Sequence, residues 1–245
     1  MKGLMKPDVI LTWPSGCDYP LCRLQLQEFK KFFNKVIIAF YEHGLPDFRP
    51  WLKKNIPGAV FCEVEPELED WRERAVTSAI KKSESDWILF TEQDFFAKDD
   101  SFYQVVSQAR SRADVIGYDQ GTRLHPFFLL TSRALLAKTS QDFSVRGQDQ
   151  DHFSKVSKEL FFMGRFVDLR DLGLREKIDW YHFSSMTWNI FRIKDNDIRE
   201  FHDPASWLVY NAYSRTAKVK QNPAWRLFTY YAETLLSDFG KFLNE

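Results

Sequence analysis

Two carboxylates, Glu92 and Asp94, stand one residue apart directly after the apolar run at residues 87–90. The run has the length of a strand that is buried on both faces. In an open α/β sheet, ligands bind beyond the carboxyl ends of the strands. A divalent cation such as Mg²⁺ takes oxygen ligands and would offset the repulsion between these two acids. A solvated turn between a strand and a helix also accounts for the Glu-Gln-Asp sequence, so both interpretations stay open at this point.

A second polar group, Gly-Gln-Asp-Gln-Asp-His at residues 147–152, precedes a predicted helix at residues 153–162. Asp149 or Asp151 suits the N-cap of that helix, where the helix dipole favours an acid. Two acids and a histidine also leave room for a carboxylate that accepts a proton during a reaction. The residues alone allow either role.

Three histidines need the same caution: His125, His182 and His202. His182 belongs to the sequence Trp-Tyr-His-Phe-Ser-Ser-Met-Thr-Trp at residues 180–188. A lone histidine in such surroundings is more often a satisfied core residue than a ligand. From the residues alone, we therefore expect a structural role for each of them.

Alternating strands and helices must position these groups. Apolar runs predict strands, and helical spacing of apolar residues predicts helices between them. The predicted strands are residues 8–13, 36–41, 59–64, 87–90, 114–118 and 125–131, and the predicted helices are residues 21–33, 48–54, 71–82, 102–110 and 132–138. The last strand is expected to run antiparallel because its connection is short, and Ser132 is expected to cap the helix that follows. This order predicts an α/β fold with right-handed crossovers and a mainly parallel sheet that is covered on both faces.

Composition narrows the class of protein. The chain has 245 residues, of which 44% are hydrophobic and 28% charged, which suits a soluble protein of one large domain, or of one domain with a small appendage. The formal net charge is zero, so no nucleic-acid partner is expected. Cys17, Cys22 and Cys62 are odd in number and lack zinc spacing, which is typical of reduced thiols. Without a leader or a run of transmembrane length, we expect a cytoplasmic protein.

The C-terminal part, from about residue 195, leaves the strand–helix rhythm. Residues 223–243 carry a broad apolar stripe at helical spacing. We expect a domain at residues 1–194 and a helical extension at residues 195–245 that packs on it. A helix that binds a partner or lies at a membrane surface is the alternative, although its acids weaken the membrane version.

Taken in order, these motifs resemble the GT-A type nucleotide-diphospho-sugar glycosyltransferases, particularly the large inverting family 2. Arg74 sits at that family's arginine position, and Glu92-Gln93-Asp94 sits at its Asp-x-Asp metal motif. Residues 133–136 followed by 147–151 resemble the acceptor-side segment before its Glu-Asp motif, and residues 181–188 resemble its late histidine segment. The resemblance spans roughly residues 8–188. It implies the GT-A fold, a mostly parallel Rossmann-like sheet with helices on both faces.

The sequence departs from the family pattern at three positions. Glu92 replaces the usual first Asp, which keeps an oxygen ligand and lengthens its reach. Ala75 stands where many relatives have Asn, and Gln148 replaces the acid that commonly precedes the base.

The resemblance implies a metal-assisted transfer of a sugar from a UDP- or GDP-sugar to the hydroxyl of a glycan or other acceptor. It implies Mn²⁺ or Mg²⁺ held by Asp94, by Glu92 directly or through water, and by His182 as the third ligand. An imidazole ligand would favour Mn²⁺ over Mg²⁺. Such an ion would neutralise charge on the leaving diphosphate.

The same resemblance implies roles for the remaining candidates. Asp149 would be the general base, with Asp151 in reserve. The donor would be bound by the loop after the first strand, including Thr12 and Trp13, by Glu42 after the second strand, and by Arg74. Arg74 would contact phosphate or order the base pocket, although a plain surface arginine fits the charged sequence Trp-Arg-Glu-Arg equally well.

Two other functions compete with this one. A metal-dependent nucleotidyltransferase also uses carboxylates and a parallel sheet, but the first strand lacks a Gly-rich, basic loop to cradle a triphosphate. A non-catalytic module that binds a nucleotide or sugar is the third possibility, and Glu92 and Gln148 keep it open.

Overall fold

The computed structural model describes residues 6–14, 29, 31–41, 53–54, 57–62, 71–92, 95–144, 153–176 and 178–182. The strands in this part of the chain are β1 (Asp8–Pro14), β2 (Val36–Tyr41), β3 (Val60–Cys62), β4 (Trp87–Glu92), β5 (Phe95–Ala97), β6 (Val115–Asp119), β7 (Leu124–Ser132), β8 (Phe166–Asp168) and β9 (Trp180–His182). The helices are α1 (Trp71–Lys82), α2 (Asp100–Ala109), α3 (Arg133–Leu136), α4 (Ser154–Met163) and the 3₁₀ helix Arg170–Leu172.

Seven of the strands form one sheet in the order β3-β2-β1-β4-β7-β6-β8. The pairs β1–β2, β1–β4, β2–β3 and β6–β8 are parallel, whereas β7 is antiparallel to β4 and β6. The predicted direction of β7 is confirmed. Its short connection from β6 turns at Gly121, whose φ of +91° suits glycine.

Side chains from alternate positions of the central strands enter two apolar layers. On one face, Ile10, Ile88 and Phe90 join a cluster that includes residues of α1, α3 and α4. On the other face, Phe102 of α2 packs edge-on against Phe128 of β7, with the ring centroids 5.4 Å apart. Helices therefore cover both faces, and the predicted α/β fold class is confirmed for the described residues.

The beginning of β1 is held by a buried carboxylate. Asp8 is fully buried. Its Oδ2 accepts hydrogen bonds from the Ser83 hydroxyl (2.8 Å) and from the Glu84 and Ser85 amides (2.7 and 3.0 Å). Its Oδ1 accepts from the Ser85 hydroxyl (2.9 Å) and the Asn34 amide (3.0 Å). These bonds join β1 to the turn between α1 and β4.

The helix starts test two capping predictions. Ser132 caps α3 by accepting a hydrogen bond from the Leu135 amide at 3.2 Å, so this prediction is confirmed. The alternative in which Asp149 or Asp151 caps α4 is wrong, because Phe153 occupies the cap position and its side chain makes no capping hydrogen bond. The N-cap residue directly precedes the first helical residue. The first helical residue of α4 is Ser154, so neither Asp149 nor Asp151 holds the N-cap position.

Several predictions fall outside the described residues. These are the strand-following loop at 15–16, most of the helices at 21–33 and 48–54, Cys17, Cys22 and the extension at 195–245. Cys62 is a free, buried cysteine, and burial raises the pKa of its thiol. Among the helices that the structure describes, none has the length and apolar content needed to cross a membrane.

Candidate functional site

Glu92 is the last residue of the central strand β4. The sequence predicts it directly after the strand, but the strand continues because Thr91 and Glu92 stay in register with Leu11 and Thr12 of β1. The Thr91 hydroxyl also donates to the Phe127 carbonyl of β7 at 2.7 Å. The Glu92 carboxylate therefore lies at the carboxyl edge of the sheet, between β1 and β7, where ligands bind in open α/β sheets.

A second, two-stranded sheet brings His182 to this edge. β5 begins directly after Asp94 and pairs antiparallel with β9, so that Phe95 is opposite His182. Neither strand is predicted from the sequence, because each has only three residues and is defined by a partner far along the chain. The pairing places His182 next to the segment that carries Glu92 and Asp94.

An aromatic stack fixes the orientation of the His182 ring. The imidazole stacks on Phe127 at 4.4 Å between centroids and 25° between planes. Phe127 also stacks on the fully buried Trp180 at 4.9 Å, and Phe95 packs against both of these rings. Because these rings are buried, the imidazole plane is set by packing rather than by water.

Behind the stack, a salt bridge supports Tyr118, whose ring contacts Trp180 edge-on at 5.7 Å. The Arg170 guanidinium lies 4.8 Å from the centre of the Tyr118 ring and donates to Asp168 Oδ2 at 2.7 Å. Burial alone would raise the pKa of Asp168, but the hydrogen bonds from Arg170 and from the Asp119 amide lower it. Asp168 in turn raises the pKa of Arg170.

Three side chains converge at the sheet edge: Glu92, His125 and His182. Glu92 Oε2 and His182 Nε2 are 3.4 Å apart, and the two imidazole centroids are 5.0 Å apart. One possible ligand atom from each of the three side chains lies within 4.8 Å of the others. Ligand atoms at about 2.1 Å from a tetrahedral ion are about 3.4 Å apart, so the widest separation in the cluster would have to close by up to about 1.4 Å for all three to bind one ion. The residues therefore fit a divalent metal.

His125 is the residue that sequence reasoning assigned to the core. It is only partly buried, and its ring packs against Phe127 with centroids 4.7 Å apart. Its Nδ1 accepts a hydrogen bond from the Phe127 amide at 3.2 Å. A neutral ring with this bond carries its proton on Nε2. An ion bound to Nδ1 would displace this hydrogen bond directly. An ion bound to Nε2 would leave the ring proton on Nδ1, which could then no longer accept the bond. In either case the protein loses one hydrogen bond, whose net value is about 1 kcal/mol.

The other candidate residues lie partly within the described chain. Thr12 is the register partner of Glu92, and Trp13 pairs with Phe40. Arg74 is exposed in the first turn of α1. Because a crossover helix runs back against parallel strands, this turn lies toward the carboxyl edge of the sheet. Glu42, Asp94, Asp149 and Asp151 are outside the described residues.

No protein-family model matches the chain, and no curated protein sequence matches it. Solved structures do. Residues 1–349 of S. aureus TarS share 15% identity with this chain at a TM-score of 0.50, covering 98% of this chain and 81% of that one. The mannosyltransferase PcManGT from Pyrobaculum calidifontis, solved with GDP-Man and Mn²⁺, shares 14% identity at a TM-score of 0.48, covering 97% and 83%.

The bifunctional IspDF from Campylobacter jejuni shares 12% identity at a TM-score of 0.44, covering 66% of this chain. The present chain spans about half of that protein, at 49% of its length. At such identities the likeness is one of fold. The likeness to TarS and the sheet order agree with the predicted α/β fold, a mostly parallel sheet with helices on both faces.

Proposed function

We propose that the protein is a glycosyltransferase that moves a sugar from a nucleotide-diphosphate donor to an acceptor hydroxyl by metal-assisted inverting displacement. One observation carries the proposal: Glu92 and His182, from distant parts of the chain, meet at the carboxyl edge of the central strand. Mixed carboxylate and imidazole ligands suit a divalent ion. In open α/β sheets, ligands bind at this edge of the sheet.

Glu92, Asp94 and His182 would hold Mn²⁺ or Mg²⁺. Such an ion would supply positive charge opposite the diphosphate that leaves. Two observations support this proposal: Glu92 is in register with Thr12, and the His182 ring stacks on Phe127. In the sequence, Asp94 belongs to the two-residue segment between Glu92, which ends β4, and Phe95, which begins β5.

Donor binding would fall to Thr12, Trp13, Glu42 and Arg74. Thr12 and Trp13 lie near the end of β1, and Arg74 lies in the first turn of α1; in the sequence, Glu42 directly follows β2. An arginine there can form paired hydrogen bonds to a phosphate. The supporting observation is that Thr12 lies directly beside Glu92 in the sheet.

The reaction needs a base on the acceptor side. Asp149, with Asp151 in reserve, would take the proton of the acceptor hydroxyl. The hydroxyl oxygen would form a bond to the anomeric carbon of the sugar as the bond from that carbon to the diphosphate breaks. The segment that carries both acids precedes α4 in the sequence, and α4 packs on β7, the strand that carries His125. The acceptor would be a glycan or another hydroxyl compound.

Calorimetric titration with UDP and GDP, with and without Mn²⁺, tests the donor site. We expect one nucleotide to bind only with the metal, and Asp94→Ala or Glu92→Ala to abolish that binding. Asp86→Ala is the matched control, because Asp86 is an exposed acid just before the opposite end of β4. Binding that ignores both the metal and the substitutions would contradict the metal role.

Turnover separates the rival functions. With the matching nucleotide-sugar, Asp149→Asn should lower the rate of donor consumption by about 100-fold or more while leaving nucleotide binding intact. Release of pyrophosphate from a nucleoside triphosphate would instead indicate a nucleotidyltransferase. Nucleotide binding without consumption of any donor would indicate a binding module.

A further inference from the structure

We propose that His125 is a further protein ligand of the metal, so that two imidazoles, rather than one, are among the ligands of the ion. The site would then prefer a nitrogen-binding transition ion such as Mn²⁺ over Mg²⁺. This inference deepens the proposed function and rests on its metal role. It concerns a residue whose sequence surroundings predict only a place in the core.

The position of His125 follows from β7. This strand pairs antiparallel with β4, and the pairing ends at Thr91 and Phe128. His125 lies three residues beyond Phe128, toward the edge at which Glu92 ends β4. The turn from β6 into β7 holds the start of β7 against β6. A hydrogen bond from the Gln120 amide to the Arg123 carbonyl, at 3.0 Å, closes this turn.

The second imidazole comes from a different sheet. His182 reaches the site through β9, and its ring is 5.0 Å from that of His125, with 73° between the planes. Both rings contact Phe127, which lies on the same face of β7 as His125. One rigid aromatic ring therefore supports both imidazoles and sets the distance between them.

The ligand set decides which ion binds. Mg²⁺ prefers oxygen ligands in an octahedral shell and loses its water reluctantly. Imidazole suits later first-row ions, whose affinity for nitrogen sites rises along the series from Mn²⁺. Two imidazoles and one carboxylate from the described residues therefore favour Mn²⁺ over Mg²⁺ more strongly than one imidazole would.

His125→Asn separates a ligand from a purely structural residue. The side-chain oxygen of an asparagine can accept a hydrogen bond from the backbone amide two residues further along the chain. An asparagine at position 125 could therefore accept the hydrogen bond from the Phe127 amide. The substitution thus keeps the local hydrogen bond and removes the imidazole. Thr122→Ala is the matched control, because Thr122 is exposed in the turn before β7.

The experiment titrates Mn²⁺ and Mg²⁺ into the full chain, without nucleotide and then with UDP or GDP, and records pulsed EPR of the Mn²⁺ complex. We expect nitrogen couplings from two imidazoles in the wild type and in Thr122→Ala, and from one in His125→Asn. We also expect His125→Asn to weaken Mn²⁺ binding at least about tenfold, since even outer-shell partners of a ligand have effects of that size. Mg²⁺ binding should change less.

Unchanged Mn²⁺ affinity and unchanged nitrogen couplings in His125→Asn would overturn the inference and leave the proposed function standing. Wild-type protein that binds no Mn²⁺ even with nucleotide would also overturn it, and sugar transfer assayed with EDTA would then judge the proposed function separately. Two nitrogen ligands without transfer from any nucleotide-sugar would uphold the metal site and refute the transferase.

Discussion

At the scale of single residues, Asp8 shows how this protein uses a buried charge outside the candidate site. It lies at the opposite end of β1 from Thr12. Burial alone would raise its pKa, but hydrogen bonds from the Glu84 and Ser85 amides and from Ser83 and Asn34 hold the pKa below its ordinary value. The folded state therefore favours the ionised carboxylate.

Asp8→Asn should lower the free energy of unfolding by about 1–3 kcal/mol at neutral pH, because the new NH₂ group faces donors instead of accepting from them. Because the folded pKa lies below the unfolded value near 3.8, the stability that Asp8 adds is present above that value. It is lost as the pH falls through the folded pKa.

Urea unfolding of the two proteins at several pH values measures this difference, which should shrink as the solution becomes more acidic than the unfolded pKa. Asp114→Asn is an instructive comparison. The Arg165 guanidinium lowers the pKa of Asp114 to about 2, yet this pair is solvent-exposed and should matter less. Equal stability of wild type and Asp8→Asn at neutral pH would contradict the account of Asp8.

His125 and Glu92 show what single residues do and do not reveal in sequence. Glu92 follows a recognisable apolar strand, so its place at the sheet edge could be predicted to within the length of the strand. His125 stands inside an apolar run, where its type and spacing equally suit a core residue. Its proximity to His182 depends on two pairings, β4–β7 and β5–β9, that no local pattern encodes.

At the scale of elements, local periodicity is enough to predict the type and bounds of the longer strands and helices. The strand Val36–Tyr41 and the helix Trp71–Lys82 have the predicted bounds. β1 ends at Pro14, one residue later than predicted. Apolar runs and helical spacing are signals within the element itself. β5 and β9 have three residues each, too few for a period, and they exist because they pair with each other.

Phe95→Ala tests the small sheet. Phe95 is fully buried among Phe102, Phe127, Phe128 and Trp180. Removing its ring should lower the free energy of unfolding by about 3–5 kcal/mol, through lost burial and the cavity that remains. Because Phe95 pairs with His182, we also expect Mn²⁺ affinity to fall in the fraction that stays folded.

The control for Phe95→Ala is Phe162→Ala on α4, the same chemical change at a side chain that is 68% exposed. It should alter stability by less than about 0.5 kcal/mol. Chemical denaturation measures the first effect and metal titration the second. Full Mn²⁺ affinity in folded Phe95→Ala would show that the β5–β9 pairing does not position His182.

At the scale of the whole molecule, the candidate site joins three separate parts of the chain. Glu92 comes from the parallel half of the large sheet, His125 from its antiparallel strand and His182 from the small sheet. An ion bound by all three binds the folded chain and has no such cluster to bind after unfolding. Metal binding and global stability must therefore be linked.

Mn²⁺ at 100 times its dissociation constant should raise the free energy of unfolding by about 2.7 kcal/mol. Glu92→Ala should remove this increase, while Asp86→Ala should keep it. Urea unfolding with Mn²⁺ and with EDTA provides the comparison. An equal increase in Glu92→Ala would mean that Mn²⁺ stabilises the protein elsewhere.

The pairing of Phe95 with His182 also bears on how the protein is made. During synthesis, a nascent chain that has emerged from the ribosome only as far as β8 already contains every strand of the large sheet. It lacks His182 and the strand β9, which pairs with β5. Each new molecule can thus assemble the large sheet first, and it gains the complete cluster of Glu92, His125 and His182 only after residue 182 has emerged.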